Sequence, residues 1–87
     1  MVNVRLDKVP KLLMSGSRNG RNYQRAIGLP KSDSFRIILR KDQCVTSSFY
    51  LGFFKRERLA MLDFDISGLT MLQKSEFRRA VDRSFIY

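Results

Sequence analysis

Apolar and polar positions alternate from the start of the chain. Val2, Val4 and Leu6 are separated by Asn3 and Arg5, the period of a half-buried strand. A turn is expected over residues 7–10, because Pro10 cannot donate to a ladder. Residues 11–14 read as a second short strand, so that residues 1–16 form an N-terminal strand or hairpin. Residues 15–22 are small and polar and read as a loop or a helix entry. A short helix is predicted over residues 19–27, with Tyr23, Ala26 and Ile27 on one side, stopping at Gly28 before Pro30.

Phe35, Ile37, Ile38 and Leu39 mark residues 34–39 as the central strand. Three consecutive apolar residues there imply burial on both faces. Thr46, Ser47 and Ser48 offer caps to a helix over about residues 47–59. Gly52 in its middle costs about 1 kcal/mol against Ala, which points to a close helix–sheet approach at that position. Over residues 61–66, Leu62, Phe64 and Ile66 alternate with Asp63 and Asp65, predicting a strand. The last helix is expected over residues 70–85, with Phe77, Ala80, Val81, Ser84 and Phe85 as one stripe.

Strands alternating with helices predict an α/β fold, with α+β as the alternative and parallel pairing in the later part. The expected architecture is a small single-domain sandwich of about four strands and three helices. The 87 residues suffice for one small domain. The longest apolar stretch, residues 49–54, falls far short of the ~20 residues a bilayer span needs. The N-terminus has no apolar h-region, so no signal peptide is expected and the cytoplasm is the expected location.

Charge changes this picture more than composition does. Seventeen Lys and Arg stand against eight Asp and Glu, a formal net charge of +9. Residues 1–41 carry +8 of it and residues 42–87 carry +1. Such a one-sided field attracts phosphate polymers or acidic protein surfaces. Arg18, Arg21, Arg25, Arg36, Arg40 and Lys41 are the candidate partner- or anion-binding residues. Arg18 and Arg21 lie in the glycine-containing run at residues 15–22, where backbone N–H groups and a helix N-terminus could meet phosphate. Most of the seven Phe and three Tyr lie in the near-neutral half and are expected in the core. Backbone contact is therefore the expected nucleic-acid mode, rather than base stacking.

Other chemistry is sparse. The chain has no histidine and one cysteine, Cys44. A Ser-His or Cys-His nucleophile is therefore excluded, and no metal site or cofactor is expected. Cys44 is expected to be a small buried residue at a strand end. Asp63 and Asp65 are expected on the solvated face of a strand, balancing nearby arginines. Ser47 and Ser48 are candidates for helix caps or for a switch, since phosphate on Ser47 would sit over free N–H groups at the helix start.

Ser17 and Arg18 with the helix around Tyr23–Ile27, then Ile37–Leu39, Val45–Phe49 and the Phe64/Ile66 strand, fall in an order that resembles the STAS-like family of bacterial and phage proteins. The resemblance covers residues 17–85, about four-fifths of the chain. The family's acidic residue after the central strand is replaced by Arg40 and Lys41. The Asp-Ser-Ser/Thr-Gly turn of anti-sigma-factor antagonists reads Thr46, Ser47, Ser48 and Phe49 here. The resemblance implies a STAS-like α/β core at residues 17–87 and a protein-binding regulator rather than an enzyme.

The leading expectation is a small basic regulator or inhibitor that binds an acidic protein partner through its basic N-terminal half. The alternative is a protein that binds a DNA or RNA backbone. A small ribonuclease-type toxin comes third and would have to work without histidine. No membrane partner is expected, and exposed strand edges would permit a homodimer.

Overall fold

The computed structural model describes residues 1–85. In chain order the elements are β1 (Val2–Arg5), a 3-10 turn (Leu6–Lys8), β2 (Leu13–Met14), α1 (Ser17–Ile27) and β3 (Ser34–Ile38). β4 (Cys44–Val45), α2 (Ser47–Phe54), α3 (Arg56–Leu59), β5 (Asp63–Asp65) and α4 (Met71–Ser84) follow. The fold is thus a small mixed α/β domain.

Every strand pairing described is parallel. β3 lies between β1 and β5, with Val4 opposite Ile37 and Phe35 opposite Phe64. β2 and β4 form a separate two-stranded sheet, Leu13 opposite Cys44 and Met14 opposite Val45. β1 and β2 therefore make no hairpin with each other; each joins a different sheet. Alternation decides which side of the main sheet is covered. Val4, Phe35 and Ile37 are buried, whereas Asn3, Arg5, Arg36 and Asp63 on the intervening positions are exposed. Ile38 is only half-buried. Burial of β3 on both faces, expected from its apolar run, is not what forms. Parallel sheets are usually covered on both faces, and here one face carries polar and charged side chains instead.

An aromatic chain fills the space between sheet and helices. Phe35 and Phe64 from the sheet meet Phe54 of α2 at ring separations of 5.7 and 4.9 Å, and Phe64 reaches Phe77 of α4 at 4.9 Å. Tyr50 packs edge-on to Phe77 at 5.0 Å. Tyr23 of α1 closes on Phe49 at 5.6 Å. Edge-to-face pairs add about 1 kcal/mol each beyond the area they bury. Phe77, Ala80 and Ser84 of the predicted stripe are buried, Val81 is half-buried and Phe85 is exposed. α4 begins with a capping box, in which Thr70 Oγ1 accepts from Gln73 N and Gln73 Oε1 accepts from Thr70 N.

Two buried glutamines hold the loops. Gln43 Nε2 lies within hydrogen-bond distance of the carbonyls of Leu6, Val9 and Lys11, at 3.1 to 3.2 Å. Gln73 Nε2 donates to the carbonyls of Arg40 and Gln43 at 2.8 Å. These carbonyls lie in turns and connecting segments, and those of Leu6 and Arg40 also accept from Val9 N and Gln43 N at 3.1 Å.

The closest packing is between α1 and α2. Gly20 is buried in α1, and a Cβ built there would fall on the Phe49 carbonyl oxygen and within 2.8 Å of Phe53 N. Gly52 of α2 faces back, its Cβ position lying on the Ser17 carbonyl and 2.7 Å from Ser17 Cα. The close approach anticipated at Gly52 is therefore helix to helix, not helix to sheet. Gly20 lies in α1 as expected, and the helix starts two residues earlier, at Ser17, so residues 17–22 are its entry rather than a loop. A Gly→Ala change inside a helix normally gains about 1 kcal/mol; a clash with backbone on both sides reverses that sign. Gly20→Ala and Gly52→Ala are each expected to lower stability by about 2–3 kcal/mol or more in urea unfolding. Gly68→Ala, whose Cβ would meet nothing, should stay within about 1 kcal/mol of the parent. A rise in midpoint for Gly20→Ala would contradict this packing.

Candidate binding site

The crossing of α1 on α2 leaves a groove along its outer side. Arg18, Arg21 and Arg25 recur at i, i+3 and i+7 on α1 and so share one exposed face. Arg21, Gln24 and Arg25 form one wall of a groove of about 490 Å³, with Leu51 and Gly52 of α2 at its base. Lys55 and Arg56 form the other wall. Among the described residues that line this groove, none is acidic or aromatic.

Lys55 stands where the expected long helix breaks. It ends α2 and precedes α3 with φ 64° and ψ 139°, the one non-glycine residue at positive φ among those described. A side chain there costs about 1–3 kcal/mol and persists only when its surroundings impose it. The Lys55 carbonyl accepts from Arg58 N and Leu59 N, both at 3.2 Å, which starts α3 at once. The break turns α3 toward α4 and places Lys55 on the groove. Lys55 and Arg56 lie in the near-neutral half of the chain, so a count of charge by halves passes over them.

The remaining candidates lie elsewhere. Arg36 is on the open sheet face, where its Nε donates to Asp65 Oδ2 at 3.0 Å. Asp65 thus balances an arginine on a solvated strand face, as its alternation implied. Arg40 Nη1 donates to the carbonyls of Asp7, at 2.6 Å, and Val9, at 3.4 Å, and its Nε lies 3.5 Å from Asp42. It fastens a loop. Lys41 is exposed beside Asp42, at a different pocket. Of the six candidate basic residues, the fold gathers Arg18, Arg21 and Arg25 on one face and disperses the other three.

Thr46 is the cap of α2, its hydroxyl accepting from Phe49 N at 3.3 Å. Ser47 and Ser48 follow it inside the helix, and both hydroxyls accept from Arg83 Nη1, at 3.0 and 3.2 Å. Ser47 is buried, so phosphate could reach it only if this contact with α4 opened. Cys44, expected to be buried, is exposed: it sits opposite the exposed Leu13 in a sheet only two strands wide. Among the described residues no group of three or more His, Cys, Asp and Glu could hold a metal ion, and no helix is long and apolar enough to cross a membrane.

The Asp65 carboxyl is held down to about 2 by hydrogen bonds from the Ser67 hydroxyl and backbone N–H, then by Arg36. Its stabilising effect is complete above the unfolded carboxylate range near pH 4. It is lost as pH falls toward about 2. Carboxyl NMR titration should place the Asp65 midpoint near 2, with Ser67→Ala raising it more than Arg36→Ala does; an unshifted midpoint near 4 would contradict the pairing. Comparison of the chain with protein-family models, with curated proteins and with solved structures gives no match.

Proposed function

We propose that this chain is a small, non-enzymatic regulatory protein of the cytoplasm that binds an acidic segment of a protein partner in the groove between α1 and the α2–α3 junction. The observation that carries the reading is the meeting of Arg21, Arg25, Lys55 and Arg56 in one groove. Four positive side chains around a concave surface lower the energy of any dense negative charge placed there. Arg18, one turn along the same face, extends the field.

An acidic protein segment suits this groove better than a nucleic-acid backbone does. A duplex presents a long, regular row of phosphates and favours an extended stripe of cations. Here Arg5, Arg36, Arg40 and Arg79 are engaged with Asp7, Asp65, Asp42 and Glu76. The basic residues at the groove form a compact cluster over the apolar floor at Leu51. Among the described residues the groove has no aromatic ring on which a base could stack. The resemblance to STAS-like regulators points toward a protein partner as well, in the role of regulator or inhibitor.

The test is fluorescence anisotropy with a glutamate-rich peptide and with a short DNA duplex, both at several salt concentrations. The peptide should bind more tightly than the duplex. Arg21→Glu/Arg25→Glu should weaken peptide binding by about tenfold or more without loss of fold. Arg36→Ala should leave it unchanged. Tighter duplex binding, with log K falling against log salt at a slope near about −5 for six neutralised phosphates, would replace this reading with the nucleic-acid one.

A further inference from the structure

β1 is an edge of the main sheet. It pairs with β3 on one side, and among the described residues no hydrogen bond reaches its backbone from the other. In a parallel pair alternate residues direct their N–H and C=O groups to the neighbouring strand. The others in Val2–Arg5 point theirs outward, the arrangement that accepts a further strand. A groove of about 500 Å³ lies beside this edge. Asn3 and Arg5 on its wall belong to the open face of the sheet. Tyr23, Ala26 and Ile27 on its other wall belong to α1, which packs Tyr23 into the core on the covered side. A groove lined from both sides of the strand runs along its free edge. It shares no lining residue with the basic groove, so an occupant here is independent of that site.

The lining narrows the chemistry of that occupant. Ile27 is 47% exposed, and Val9 and Pro10 beyond the 3-10 turn continue the apolar surface. Side chains two residues apart on an extended segment share one face, and apolar ones would rest there. Charge decides the sign of the partner. Arg5 is engaged with both carboxylate oxygens of Asp7. Lys8 is exposed on the rim, and among the described residues no ion pair involves it. A second copy of this chain would bring the same cations and a further charge of +9 to the edge, whereas an acidic segment brings the opposite sign. We infer that β1 receives an extended segment of a partner protein as a fourth strand of the main sheet. Alternate apolar side chains of the segment lie in the groove, and a carboxylate meets Lys8. Main-chain hydrogen bonds to β1 hold the segment, and the wall at Tyr23 and Ile27 selects its side chains.

The probe is a labelled peptide of alternating valine and threonine with glutamates at both ends, followed by fluorescence anisotropy. It is titrated into the parent chain and into Arg21→Glu/Arg25→Glu, whose basic groove is disabled. Binding should survive in that variant. A strand faces β1 with only every second peptide bond, so N-methylation of one alternate set of amides should weaken binding by about tenfold or more, and methylation of the other set by less than about twofold. Ile27→Lys should also weaken it by about tenfold, although it adds a positive charge. Equal effects of the two methylation sets would overturn the inference. So would tighter binding by Ile27→Lys, which would indicate attraction of charge alone, or an absence of binding to the parent chain. Binding that disappears in Arg21→Glu/Arg25→Glu would assign the peptide to the basic groove instead. Dimerisation of the chain that Ile27→Lys abolishes would give the edge to a second copy and overturn the inference as well.

Discussion

The structure depends on the contact of two helix backbones at Gly20 and Gly52. Each glycine occupies a place where any side chain would strike the main chain of the other helix. With the backbones this close, Phe49 and Phe53 on one side of α2 and Tyr23 on α1 come within ring contact. The aromatic chain then continues through Phe54 and Phe64 to α4. In a chain of this size the apolar surface available is limited, so the helices must fit closely to cover one face of the main sheet. The helix propensity lost at the two glycines, about 1 kcal/mol each, is small against the packing it permits.

The same contact explains the charge distribution. When α1 lies against α2, its polar face turns outward and lines up Arg18, Arg21 and Arg25. The strained backbone at Lys55 then brings a fourth and a fifth cation from the far end of α2 to the same groove. Four other arginines, Arg5, Arg36, Arg40 and Arg79, have acidic partners close by. Arg36 is held by Asp65 on the open sheet face, and Arg40 by the carbonyls of Asp7 and Val9, the second of which Gln43 also reaches. The net charge therefore divides between arginines that hold the fold together and a cluster gathered at one groove.

Period-2 alternation made β1 and β5 legible, and the stripe through Phe77, Ala80 and Ser84 made α4 legible, because these signals are local. Gly52 in an apolar helix announced a close approach, but its partner depends on tertiary structure and was α1 rather than the sheet. Gly20 was hidden in a run of Ser, Asn and Gly, whose intrinsic preference is for turns; packing overrides that preference here. The break at Lys55 has no proline or glycine to mark it, and the residues after it are good helix formers. The fates of Arg36 and Arg40 rest on partners 29 and 33 residues away, a distance at which pattern carries no information. Cys44 was read as a core residue by its type, whereas its place in a two-stranded sheet opposite Leu13 leaves it exposed.

The central claim is that the α1–α2 crossing creates the surface that receives an acidic partner. Mapping backbone amide shifts in two-dimensional NMR while a glutamate-rich peptide is added tests it most directly. The account predicts that the largest shifts fall on Arg21, Gln24, Arg25, Lys55 and Arg56, with Asn3, Arg5 and Arg36 on the open sheet face unmoved. Shifts concentrated on the sheet face, with the groove silent, would contradict it.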